Sequence, residues 1–238
     1  MHHVNIEITH LCNQRCVYCV NDSGPHRTDV GFTLQDWKDF LIRAEKRGVR
    51  SAHVTGGEPF VWPHATELLA AIEDLSLGAS FLSNGYRVKE LSQKYPLIFS
   101  RVDVAQISLD SLDSEVHDRR RMLPGAWKQA VDAIIALSEL GVRVEVSCVV
   151  SRENLDGLPQ LAEFCHVTGC HLLLRPLRRV GRGENASLLD PQADALADLN
   201  AEISKRYPDV LTDDRFKYLD GIAGATRAVR SPHENISV

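Results

Sequence analysis

Short apolar runs alternate along the chain with longer stretches in which apolar residues recur every three or four positions. The runs HVNIEIT (3–9), SAHVT (51–55), ASFLSNG (79–85), VDVAQISLD (102–110), VRVEVSCVVS (142–151) and CHLLLRPL (170–177) predict six strands. Helical spacing fills the intervals: 33–48, 64–78, a short piece near 87–94, 125–141, a helix within 155–169 and one around 191–206. In the first of these, Trp37, Phe40, Leu41 and Ala44 make one apolar stripe, Thr33 is placed to cap the start and Gly48 to end it. Six βα units in succession predict an α/β fold, an open partial (β/α)6 barrel, with a doubly wound parallel sheet as the alternative. No internal repeat or long linker interrupts the pattern. The expected division is a core over 1–210 and a tail over 211–238.

Alternation within the strands separates two faces. Val4, Ile6 and Ile8 oppose Asn5, Glu7 and Thr9. In the fifth strand, five apolar side chains from Val142 to Val150 oppose Arg143, Glu145 and Ser147. Strands covered by helices need an apolar outer face, so the polar faces should line the barrel lumen. On that argument Glu7, Gln106, Asp110, Glu145 and Arg175 are expected to touch or neighbour a substrate. A buried Glu145–Arg175 ion pair is the competing expectation.

Composition narrows the class without naming a function. The chain has 238 residues, 44% hydrophobic and 25% charged, with a net charge of −5. The pI of about 6.1 argues against a broad nucleic-acid footprint. No signal-like segment and no apolar run of bilayer length occurs, so a cytoplasmic protein without a membrane partner is expected. Six cysteines without an export signal suit a reducing compartment, where clustered thiols bind metal or do chemistry more often than they form bridges.

Three of the cysteines cluster. Cys12, Cys16 and Cys19 stand in THLCNQRCVYCV (9–20) with C-x3-C-x2-C spacing. Three thiolates can hold three irons of a [4Fe–4S] cube and leave the fourth open, whereas ordinary electron-transfer cubes take four cysteines. A zinc site completed by His10 or His26 is the alternative. Cys148, Cys165 and Cys170 fall within strand or helix patterns and read as core residues. In parallel βα folds the active site lies at the carboxyl ends of the strands. There the chain places the cysteine loop, then TGGEPF, SNG, SLDSLD and RPLRRVGRG.

CNQRCVYC, with the aromatic Tyr18 before the third cysteine, resembles the signature of the radical S-adenosylmethionine (SAM) enzymes. GGEP (56–59) resembles their GGE motif, and the two together make the likeness specific over roughly residues 3 to 185. ISLDSLDSEVHDRRR (107–121) is similar to the SLDG…HDxxR stretch of the branch that modifies peptides and builds cofactors. Ser111 and Met122 depart from it, standing where glycines are usual.

The resemblance implies a [4Fe–4S] cluster held by Cys12, Cys16 and Cys19. It also implies SAM contacts from Tyr18, Gly56, Gly57, Glu58, Pro59, Ser83 and Asn84, with Ser108 and Arg121 on the methionyl carboxylate. A flavodoxin- or ferredoxin-type donor would supply an electron that cleaves SAM reductively. The resulting radical would abstract a hydrogen atom from a peptide side chain or a small metabolite. A non-catalytic iron–sulfur or zinc sensor or scaffold is the rival function. Relatives of this branch often carry a cysteine-rich C-terminal extension. The tail here has no cysteine, so the extension is expected to be lost or truncated. With so little chain before the first strand, leader-peptide recognition is expected to need a separate protein.

Overall fold

A computed structural model describes residues 3–28, 31–184, 193–212, 228–229 and 231. Its strands are β1 (His3–Glu7), β2 (Ser51–Thr55), β3 (Gly78–Ser83), β4 (Val104–Ser108), β5 (Val144–Val149), β6 (His171–Arg175) and β7 (Ala228–Val229). Its helices are α1 (Leu34–Lys46), α2 (Ala65–Asp74), α3 (Val88–Lys94), α4 (Pro96–Phe99), α5 (Ser114–Arg121), α6 (Ala126–Glu139), α7 (Leu158–Thr168) and α8 (Ala193–Arg206).

The sheet is parallel, in the order β6-β5-β4-β3-β2-β1-β7. The first six strands therefore lie side by side in chain order. A doubly wound sheet would reverse its order at a switch point; this one does not, and the partial barrel is the architecture. The two-residue β7, paired with Asn5 and Ile6 of β1, is an addition that the sequence pattern does not announce. At the other edge, Leu211 bridges Leu172 of β6. Chain beyond residue 210 thus contributes to both edges of the sheet.

The outer face is as apolar as the alternation requires. Val4, Ile6 and Ile8 of the β1 run and Val144, Val146 and Cys148 of β5 join Trp37, Phe40, Leu41, Ile134 and Leu161 of the helices in one core. Each such fully buried side chain contributes about 1.5–3 kcal/mol. Helix α1 starts where expected, with a Thr33–Asp36 capping box, and buries the stripe Trp37, Phe40, Leu41 and Ala44. Cys148, Cys165 and Cys170 lie in the same core. Helix α5 is an element that periodicity alone did not predict. It is nearly all polar, yet it buries His117, Arg120 and Arg121. Among the described residues no helix is long and apolar enough to cross a membrane.

Candidate active site at the carboxyl ends of the strands

The loop after β1 carries the three cysteines, and its neighbours fix its path. Gly57 N–H donates to Thr9 O at 2.7 Å and Glu58 N–H to Leu11 O at 2.8 Å. The turn after β2 thus pairs with the backbone that leads into Cys12. A Cβ on Gly56 would overlap the Thr9 carbonyl and one on Gly57 the Leu11 carbonyl, so only glycine fits either position. Pro59 opens a short 3-10 turn (Pro59–Val61), and Phe60 beside it stacks edge-on against Phe81, ring centroids 5.1 Å apart, anchoring the turn to β3.

Glu58 ties the ends of β2 and β3 together. Its Oε1 accepts from Ser83 Oγ at 2.8 Å and Phe60 N at 3.1 Å, and its Oε2 accepts from Asn84 N at 2.7 Å. Burial pushes this carboxyl up to about 7, against the pull of the three donors. Asn84 Nδ2 in turn donates to Asn13 Oδ1 at 2.9 Å and faces Cys12 Sγ at 3.6 Å. The side chains expected around SAM therefore also brace one another and the cysteine loop.

Every cysteine sulfur of the loop receives an N–H. Gln14 N points at Cys12 Sγ (3.4 Å), Ser23 N at Cys19 Sγ (3.4 Å) and Arg121 Nη1 at Cys16 Sγ (3.8 Å). Donors of this kind stabilise thiolate charge. Burial pushes the Cys12 thiol up to about 12, with nearby Glu58 adding to it. Burial also raises Cys16, with Arg121 opposing. Ligation must therefore displace protons. Among the described residues no three His, Cys, Asp or Glu side chains are gathered tightly enough for a single ion. A cube spreads its thiolates over separate irons and needs no such gathering. The three thiols with their N–H donors fit a cluster.

Asp110 joins the end of β4 to the cysteine loop. Strand β4 ends at Ser108, and two residues later Asp110 is turned onto α5 and the cysteine loop. Its Oδ2 accepts from Arg121 Nε at 3.0 Å and from the Tyr18 hydroxyl and lies 3.5 Å from Arg120 Nε, while Oδ1 accepts from Val149 N at 3.0 Å. The Arg120 and Arg121 guanidiniums lie 4.8 and 5.4 Å from the Tyr18 ring centroid. Burial pushes the Asp110 carboxyl up, but Arg121 and Arg120 outweigh it and leave the group well below the usual carboxylate range. Asp110, expected to touch or neighbour a substrate, is fully buried and is linked through Tyr18 and Arg121 to the cavity above the strand ends.

Above the strand ends opens a cavity of about 880 Å³. Cys12, Cys16, Tyr18 and Cys19 line one wall, and Gly56, Gly57, Ser83, Asn84, Ser108 and Arg121 line the adjoining part. Glu7 and Arg175 also line it. Gln106 and Glu145, expected beside them, are fully buried below it, because register sets Gln106 opposite Glu145 one layer beneath the Ser108–Ser147 pair. Gln106 Nε2 donates to Glu145 Oε2 at 3.0 Å and its Oε1 accepts from Arg175 at 2.8 Å, so the amide stands between the two charges expected to pair. Arg120 stands beside Arg121 in the last turn of α5. It is fully buried and donates to Val149 O at 2.8 Å and to the Ser151 hydroxyl.

A parallel partial barrel with a three-cysteine loop facing a cavity at its carboxyl end defines a class of radical enzyme. The chain belongs to it: a model described as the Radical SAM superfamily matches residues 6–165.

Among curated relatives, the chain is similar to mycofactocin maturase MftC of Mycolicibacterium smegmatis, 33% identical over 218 residues, covering 91% of this chain and 55% of that one. It also resembles the subtilosin biosynthesis protein AlbA of Bacillus subtilis (30% identical; 68% of this chain, 36% of that one). A third relative is the PqqA peptide cyclase of Granulibacter bethesdensis (27%; 68% and 43%). The chain spans about half the length of the curated relatives it matches, or less. Its fold is that of Streptococcus suis SuiB bound to S-adenosylmethionine, with a TM-score of 0.73 at 19% identity over 90% of this chain and 50% of that one. SuiB bound to its precursor peptide SuiA gives 0.74 at 18%, over 90% and 48%.

Proposed function

We propose that this chain is the catalytic core of a peptide-modifying radical SAM enzyme. The observation that carries the proposal is a loop of three N–H-supported cysteines forming one wall of a large cavity. Cys12, Cys16 and Cys19 would hold a [4Fe–4S] cluster. The backbone of Gly56 and Gly57, with Ser83, Asn84, Ser108 and Arg121, would hold SAM beside it. When bound and reduced, the cluster and SAM would supply the radical chemistry for removing a hydrogen atom from an unactivated carbon.

The chain's own residues orient and enclose. Glu58 fixes Ser83 and Asn84 against the cysteine loop. Asp110 and Tyr18 hold Arg121 with its Nη1 toward Cys16. Glu7 and Arg175 supply opposite charges on the cavity wall for a polar substrate, and Gln106 and Glu145 set the position of Arg175 from below. A peptide side chain is favoured over a small metabolite because the relatives named above are a maturase, a bacteriocin biosynthesis protein and a peptide cyclase. A flavodoxin- or ferredoxin-type protein in the cytoplasm would deliver the electron. Residues 1–210 would carry nearly all of the site, with Thr212 of the tail also on the cavity wall.

The test is anaerobic reconstitution followed by dithionite and SAM. The wild-type chain should release 5′-deoxyadenosine and Cys12→Ala should release none; equal release by both would overturn the proposal.

A further inference from the structure

The basic run after β6 contains one arginine unlike its neighbours. Arg178 and Arg179 are exposed, whereas the Arg182 side chain is 19% exposed and lies on the cysteine loop. Its Nε donates to Cys16 O at 2.7 Å, its Nη2 to Ser23 O at 2.7 Å and its Nη1 to Asp22 Oδ1 at 2.6 Å. Its own backbone N–H donates to Cys19 O at 3.0 Å. One residue thus grips the loop from the second cysteine to four residues past the third.

The flanking glycines make the approach possible. A Cβ on Gly181, which also has φ of +59°, would overlap the carbonyls of Val20 and Cys19, and one on Gly183 would overlap the Arg178 carbonyl. Leu177 at the start of the segment packs with Cys16 and Tyr18. From the opposite side, Arg15 N–H donates to Arg121 O at 3.3 Å and Val17 N–H to Arg120 O at 3.1 Å. The loop is held between the end of α5 and the 180–183 segment. That segment lies outside the residues that the family model matches.

We propose that Arg182 is the positioning residue of the cysteine loop. Its guanidinium holds the backbone from Cys16 to Ser23 in the ligating arrangement before iron arrives and slows cluster loss afterwards. Two loop carbonyls and a carboxylate are satisfied by one planar group whose donors are fixed relative to one another, a task lysine cannot perform. Ordering entropy is then met on folding rather than on ligation, which is what preorganisation means for a metal site. The role in ligation rests on the cluster reading above; the ordering of the loop does not.

The experiment therefore has two arms, run on wild type, Arg182→Ala, Arg182→Lys and, as a neighbouring control, Arg179→Ala. In the iron-free full chain, hydrogen exchange should speed up in 13–23 for both Arg182 variants, with α6 unchanged. In the reconstituted chain, iron release to a chelator should be about tenfold faster or more for Arg182→Ala, the scale of losing one charge-assisted hydrogen bond. Millimolar guanidinium chloride should slow release from Arg182→Ala and from no other protein. Arg179→Ala should match wild type throughout. Unchanged exchange in 13–23 overturns the proposal. So does faster release that guanidinium fails to slow, or that accompanies faster exchange throughout α6, because that is general destabilisation. A wild-type chain that takes up no iron overturns the cluster reading and leaves the exchange arm to decide the loop's organisation.

Discussion

Asp110→Asn isolates the charge that holds the cysteine loop, α5 and β5 together. The side chain is fully buried, and its carboxylate serves Arg121, Arg120, Tyr18 and Val149 N at once. The amide keeps the size and one acceptor, so Val149 N remains served while the donors that met Oδ2 face an NH2 group. Two guanidiniums, Arg120 at 1% and Arg121 at 6% exposure, lose their shared countercharge. Glu153 offers Arg120 a contact at 3.3 Å but is partly exposed, so it replaces little. Breaking a buried ion pair by neutralising one partner costs about 3–5 kcal/mol, and the retained acceptor sets the expectation near ~3 kcal/mol. Urea unfolding at pH 7, followed by far-UV circular dichroism, measures it as a lower midpoint at unchanged slope. A loss below about 1 kcal/mol would mean that solvent already screens the arginines, and the network would not organise the site.

His117 gives a pH signature. Its Nδ1 accepts from Asp110 N at 3.1 Å, and burial, then Arg121, lowers it to about 4. A histidine depressed in the folded state contributes stability in full above 6.5, losing it as pH falls through about 4; the gap is worth ~3 kcal/mol. His117→Asn, which accepts but cannot titrate, should flatten the stability profile between those values, and parallel profiles would refute the assignment. Met122 caps α5 with φ of +54° and is 59% exposed; Met122→Gly should stabilise the chain by about 0.5–1 kcal/mol in thermal unfolding, and destabilisation would show an unseen Met122 contact. Gly57→Ala should lower stability by about 2 kcal/mol and reduce iron uptake, because the Cβ meets backbone. Gly157→Ala, with only Ser111 Oγ at 3.8 Å, should stay within about 0.5 kcal/mol of wild type. Equal effects of the two glycine substitutions would remove the close-approach argument.

The layout of the strands was legible in the sequence because alternation and helical spacing are local signals. Trp37, Phe40, Leu41 and Ala44 announce their buried face within two turns of α1. The cysteines, GGEP and the strand-end positions of Ser83 and Ser108 were legible for the same reason. The partners of Asp110 were not legible, because alternation says which face a residue takes and not what it meets there. Arg120 and Arg121 come from α5, and Tyr18 comes from the cysteine loop 92 residues away. Helix α5 was hidden by its polarity: it is buried by ion pairs, which leave no apolar period to find. Arg182 looked like its neighbours in the basic run, since two of its three side-chain acceptors are carbonyls of a loop about 160 residues earlier, and carbonyls have no sequence signature. β7 is two residues long, too short for any period.

The central claim is that three cysteines leave one iron of a cube for SAM. Electron paramagnetic resonance of the reconstituted, dithionite-reduced chain with and without SAM tests it most directly. The account predicts about four iron atoms per chain and a spectrum that changes when SAM is added. A spectrum indifferent to SAM, or a chain that binds a single zinc and no iron, would contradict it.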